Sequence, residues 1–339
     1  MVTERINTPT LASFFQRMGQ RFISYEALPI MIATVVLFIF FGLYSPRFLR
    51  LTNLINVVRN ASYLTIISCG QMFVLIIGGF DLSVGPVVAL ASIISASSMV
   101  AITKAFPDQV IMVIVVASMA ALLAGLAVGF VNGLCVAFLK VPPFLVTLGT
   151  MSIVEGIVFY TSYGIPIYGM PDAFTHGFGR LRWFTIPVSI YLTIAILVIV
   201  WGIMNWTKLG RYIYLIGGNI QASRLLGIHI ASYTISAYSL SGLLAAVTGV
   251  LLTARIGSGE GALGGTLTFE SITAAILGGV SLSGGLGRVE FVVLGAVFLS
   301  FVGNGMNILR VDSKIQLIVI GILLILAVAL DRLRGQERG

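Results

Sequence analysis

Two acidic side chains stand where an apolar chain can least absorb them. Asp81 lies in GGFDLSVG (78–85), between the runs MFVLII and PVVALASIISASSMVAI, and Glu155 lies in TMSIVEGIVFYTS. A carboxylate within hydrocarbon is costly unless paired or hydrogen-bonded, so each is a candidate for function. For Asp81 two readings are open. Asp81 or Ser83 can cap the helix that follows, with Pro86 in its first turn. Alternatively, a helix broken between glycines lines a cavity with its backbone and takes part in gating. Glu155 reads either as a working ionisable group inside a span or as a helix-end residue or ion pair. Asn132, Thr147, Thr150, Asn304 and Asn307 are uncharged polar residues in or near apolar runs. They can hydrogen-bond the hydroxyls of a passing neutral solute, or link one helix to another.

Familiar enzyme patterns are missing. There is no nucleophile elbow, His-Glu-x-x-His motif or paired-carboxylate site, and none of the four lysines follows a glycine as a phosphate-binding loop requires. Any ATP that drives this chain must therefore be bound by another subunit. His176 and His229 are far apart and have no Cys or acid partners at metal-ligand spacing, so no metal is expected. Cys69 and Cys135 both fall inside apolar runs and imply no disulfide framework.

The elements that position these residues follow from composition. Of 339 residues, 58% are hydrophobic and 9% charged, with a mean hydropathy of +1.05, whereas soluble domains carry roughly a quarter charged residues. Apolar runs long enough to cross about 30 Å of hydrocarbon as helices recur throughout, without the alternating pattern of a barrel. The expected fold is all-α, a polytopic membrane helix bundle. Breaks at charges, prolines and glycines place about ten transmembrane helices near 29–45, 57–78, 84–102, 110–139, 143–162, 187–205, 232–253, 270–282, 289–308 and 315–331. The net charge of +8 comes from basic residues at span ends, which meet lipid headgroups and set topology rather than bind nucleic acid.

Nothing in the first 29 residues reads as a removable signal peptide. Leu11, Phe14, Phe15, Met18 and Phe22 recur at helical spacing beside Arg17 and Arg21, which suits a short helix on an anionic leaflet or a mobile tail. A cytoplasmic N-terminus puts 11 of the 20 basic residues on the inner side, a slender excess. An even number of spans then puts both termini and the basic segment 206–231 in the cytoplasm, opposite the Gly-, Pro- and aromatic-rich loop 163–186.

Small residues at four-residue spacing, Ala117, Ala121, Gly125, Gly129 and Gly133, form a ladder that lets another helix approach closely; Ser241, Ala245, Gly249 and Thr253 form a second. GGVSLSGG (278–285) echoes the Asp81 stretch 200 residues later, either as an internal repeat or as a coincidence of a Gly- and Ser-rich chain.

Taken together, GGFDLSVG, VPPFLVTLGTM, GRYIYLIGGNIQASRLLGI, SGLLAAVTGVLLTARIGSG, ILGGVSLSGGLG and AVALDRL resemble, in order and spacing, the permease subunit of sugar ABC importers of the ribose/galactose type. The resemblance runs from about residue 45 to 333. It implies a bacterial inner-membrane protein in which two permease subunits, identical or related, form the pathway. A cytoplasmic ATPase with tandem nucleotide-binding halves would supply ATP-Mg chemistry, leaving no cofactor in this chain, and a periplasmic protein would capture the sugar. The corresponding organisation is a cytoplasmic segment 1–28, a permease domain 29–333 and a cytoplasmic tail 334–339.

The coupling element is expected within 206–231, at GGNIQASRLLG. Asn219 can cap a short helix and Gly227 can end it in a left-handed conformation. Gly217, Gly218, Asn219, Ala222, Arg224 and Gly227 are thus the residues expected to seat in the ATPase. Departures bear on the substrate: TFESI (268–272) stands where family members often carry ELDAI, and SKIQ (313–316) where an aromatic pair often precedes Gln. Ribose is therefore one candidate among pentoses, hexoses, polyols and a sugar-like signal such as autoinducer-2. The rival from another class is a proton-coupled secondary transporter using Glu155 and Asp81.

Overall fold

In lipid, each backbone N–H and C=O must find its partner within the protein, and a helix does this locally. The computed structural model describes residues 28–336. The surface helix expected around Leu11 to Phe22 lies outside them. Twelve α-helices follow in order: α1 Leu28–Tyr44, α2 Leu51–Ile76, α3 Val84–Ala105, α4 Val110–Phe138, α5 Pro143–Ser162, α6 Val188–Trp206, α7 Lys208–Gly218, α8 Ile220–Leu225, α9 Ile230–Ile256, α10 Leu267–Leu277, α11 Val289–Ile308 and α12 Ser313–Gln336. Among the described residues, α3, α4, α5, α6, α9, α11 and α12 are long and apolar enough to cross a membrane. The expected polytopic helical bundle is thus present.

Several elements differ from the sequence expectation. Helix α2 begins at Leu51 instead of 57 and runs through Arg59, because a single charge does not stop a helix and no proline or glycine pair interrupts it. Helix α10 stops at Leu277 instead of 282. Gly279 takes φ +80 there, and its N–H and that of Val280 close onto the carbonyls of Ile276 and Ala275. The segment 206–231 is no plain loop with one short helix: α7 precedes α8, with the Thr207 hydroxyl accepting from the Gly210 N–H at 3.4 Å.

The echo of GGFDLSVG has a local meaning. Gly78 has φ +83, and Gly78 and Gly79 donate to Leu75 and Val74 as Gly279 and Val280 do to Ile276 and Ala275. The shared feature is a helix-ending turn, displaced by one residue from the alignment of the letters. After it the paths part: 78–83 leads into α3, whereas 281–287 turns back on itself, the Ser281 N–H donating to the Leu286 carbonyl and the Gly285 N–H to that of Ile76.

Helix α9 occupies the centre, packed on α2, α3 and α4. All nine ladder residues are buried, but the glycines of the two ladders face different partners. Gly125, Gly129 and Gly133 face the Gly242/Ala246, Tyr238 and Ile235 positions of α9, whereas Gly249 faces Val88 and Ala91 of α3. After α9 the chain re-enters the bundle. Gly259 bridges to Ile167 of the 163–186 segment, and Glu260 donates its N–H to the Ser92 hydroxyl. Gly264 then lies so close to Gly85 that neither could carry a side chain without displacing the other's backbone.

Candidate functional site

The break between α2 and α3 is a buried polar knot. Asp81 is 1% exposed. Its Oδ1 accepts the Ser83 N–H at 3.0 Å and the Ser83 hydroxyl at 2.6 Å, and its Oδ2 accepts the Ser241 hydroxyl of α9 at 2.8 Å. Ser83 in turn accepts from Asn132 Nδ2 of α4 at 2.9 Å. The carbonyl of Phe80 receives the Tyr238 hydroxyl at 3.2 Å and the Thr147 hydroxyl of α5 at 3.3 Å. One seven-residue break is therefore tied to α4, α5 and α9.

The expected cap is made in another way. Ser83 forms no cap bond, and Asp81 reaches only the Ser83 N–H, short of the first helical residues. The free amide of Gly85, in the first turn of α3, goes instead to the Thr268 hydroxyl of α10 at 3.0 Å. The full-length α3 and the short α10 thus begin side by side. Sequence reading missed Tyr238 and Thr268 because their partners lie 158 and 183 residues away; Ser241 was noticed only as a packing residue.

A cavity of about 260 Å³ opens elsewhere, among α2, α9, α10, α11 and α12. Tyr63, Glu270, Arg255, Asn304 and Asn307 are among its walls. At its exposed edge Arg255 donates to Asn60 at 2.6 Å and lies 5.4 Å from the Tyr63 ring centroid. Asn304 exchanges two hydrogen bonds with Asn53, at 2.9 and 3.0 Å, and Asn307 accepts from Gln316 at 3.0 Å. Helix linkage and cavity lining therefore coexist in Asn304 and Asn307.

The expected residues thus fall into groups. Asp81, Ser83, Asn132 and Thr147 come together at the break; Asn304 and Asn307 line the cavity. Thr150 and Glu155 join neither: Thr150 is half-buried, and Glu155 points outward from the middle of α5. At the opposite end, Asn219 caps α8 through the Ala222 N–H at 2.9 Å, and Gly227 ends the turn with φ +74. Ala222 and Arg224 are exposed, as are Leu225 at 90% and Leu226 at 70%. Gly217 is pressed against the Ile76 carbonyl and the Gly285 N–H, and Gly218 is open.

A family described as "Branched-chain amino acid transport system / permease component" matches residues 53–328. The ribose import permease protein RbsC of Escherichia coli (strain K12) is 35% identical over 307 residues, covering 89% of this chain and 92% of the relative. RbsC of Bacillus subtilis (strain 168) is 34% identical over 333 residues, 98% of this chain and 99% of the relative. The galactose/methyl galactoside import permease protein MglC of Haemophilus influenzae is 36% identical over 303 residues, covering 86% and 90%. No solved structure matches this chain.

Proposed function

The chain belongs to the branched-chain amino acid transport system / permease component family, and on that premise we propose that it is the membrane subunit of an ABC importer for a small sugar or polyol. It is a multi-pass inner-membrane permease component and not itself an enzyme. The family's description names amino acids, but the relatives that align over nearly the whole chain are ribose and galactose permeases. Sugar-like cargo is accordingly the better-supported class. Ribose itself has no special claim over galactose, other polyols or autoinducer-2.

On this reading, ten membrane segments comprise the seven long apolar helices, α1, α2 and the half-length α10. At 11 residues α10 is about 16 Å long, half a hydrocarbon thickness, and it crosses only together with the re-entrant stretch before it. Both termini and α8 face the cytoplasm. A tandem-domain ATPase, a second permease subunit and a periplasmic sugar-binding protein complete the importer.

The observation that carries the coupling role is α8 itself. A six-residue helix is marginal alone in water, yet this one is capped at Asn219 and presents Leu225 and Leu226 to solvent. A surface that apolar and that small is suited to a partner's groove. The proton-coupled alternative loses support, since Asp81 and Glu155 lie in different environments instead of one relay. The test is Ala222→Arg: membrane insertion should persist while ATPase co-purification and uptake both fall at least tenfold. Co-purification at the wild-type level would overturn the assignment.

A further inference from the structure

The cavity of about 260 Å³ sits beside the far end of α9 from α8. Arg255, at its edge, is one residue from the end of that 27-residue helix, which spans about 40 Å at 1.5 Å per residue. If α8 is cytoplasmic, the cavity belongs to the outer half of the chain. It is also built within one subunit, from α2, α9, α10, α11 and α12, and needs no second copy to form its walls.

From these features we infer that each subunit holds its own binding site for one small, neutral, polyhydroxylated solute in this outer cavity. The charge of the lining sets the class. Arg255, with one guanidinium, and Glu270, with one carboxylate, line the same space, accompanied by the amide residues Asn60, Asn307 and Gln316. An anion would gain Arg255 but meet Glu270, and a cation the reverse. A polyol hydroxyl both donates and accepts, so it can use both kinds of partner. The volume sets the size: 260 Å³ lies just under the range of about 300–1,000 Å³ typical of small-molecule sites. That fits one monosaccharide.

Pre-organisation points the same way. Arg255 is held by Asn60, and Gln316 donates to Asn307, so these side chains are fixed before any ligand arrives. Tyr63, 3% exposed, lines the cavity with the Arg255 guanidinium 5.4 Å from its ring centroid. Leu64, Leu252 and Leu299 supply an apolar wall for the C–H face of a sugar ring.

The inference rests on the importer reading for its biological meaning but is tested without an ATPase. The purified full chain in lipid nanodiscs would be titrated by saturation-transfer NMR with D-ribose and D-galactose, and with D-gluconate and D-glucosamine as anionic and cationic counterparts. At least one neutral sugar should bind in the millimolar range, at least tenfold more tightly than either charged probe. Gly303→Leu should abolish that signal, because Gly303 lines the cavity and a Cβ added there meets nothing within 4 Å, leaving the branched side chain room to occupy the space. Glu270→Gln, which keeps the shape, should weaken it about tenfold. Absence of binding by the wild type, preference for a charged probe, or unchanged binding in Gly303→Leu would each overturn the site. Ala222→Arg, the variant that tests ATPase coupling, should leave this titration unchanged, so failure of one reading is distinguishable from failure of the other.

Discussion

Asp81 shows how one side chain serves several helices at once. Its two oxygens accept three hydrogen bonds, two from Ser83 and one from Ser241. Asparagine can replace it: Oδ1 still accepts from Ser83, and Nδ2 donates to the Ser241 oxygen. Asp81→Asn should therefore express normally and melt within a few degrees of the wild type. Leucine leaves the Ser83 N–H and two hydroxyls without their acceptor in a buried site, at about 1–3 kcal/mol for each unsatisfied group. Asp81→Leu should lose most folded protein, as read by fluorescence-detected size exclusion. A large loss with asparagine would mean that the negative charge itself is required. The sequence shows an acid between glycine breaks, which is enough to mark the position. It does not show Ser241, because a contact across 160 residues leaves no local pattern. The cap reading failed for the same reason: Thr268, distant in sequence, had already taken the Gly85 amide.

Between helices, the legible feature was the ladder of small residues, since a spacing of four marks one face of a helix whatever its partner. Ala117, Ala121, Gly125, Gly129 and Gly133 are all buried. The partner was not legible, because close approach needs only small size, and the facing α9 stripe includes the bulky Tyr238. What lets Tyr238 sit there is that its backbone, not its ring, touches Gly129. A methyl group at Gly129 would collide with the Tyr238 carbonyl, and neither helix backbone can yield cheaply. Gly129→Val should destabilise by about 1–3 kcal/mol or more, as overpacking does. Gly156 on α5 provides the control, because an added Cβ there meets nothing within 4 Å. Gly156→Ala should be neutral or stabilising by up to about 1 kcal/mol, the usual gain of alanine over glycine in a helix. Thermal melts of the two variants side by side check the contrast.

Across the whole molecule, the break at Asp81 and the exposed helix α8 are joined by one tight contact. Helix α7 ends at Gly218, and Gly217 packs so closely on the Ile76 carbonyl at the end of α2 that a Cβ would overlap it. The same Ile76 carbonyl accepts the Gly285 N–H at 2.8 Å, and Tyr214 of α7 donates to the Gly287 carbonyl at 2.7 Å. Asp331 of α12 holds the other side of this turn through the Leu282 N–H at 3.0 Å. On the proposed coupling role, motion delivered to α8 would reach the end of α2, and from there the break at 77–83, through this packed backbone. None of this was legible in the letters GGNIQASRLLG, which show a cap and a stop but not that the first glycine is a joint. Gly217→Val tests the joint apart from the ATPase surface, since α8 keeps its Asn219 cap and exposed leucines. In the reconstituted importer, ATPase co-purification and hydrolysis should persist while uptake falls at least tenfold. Tyr214→Phe, which removes one hydrogen bond worth about 1 kcal/mol, should lower uptake far less. Equal loss of hydrolysis and uptake in Gly217→Val would show that α7 only shapes the docking surface and that force reaches the membrane helices by another route.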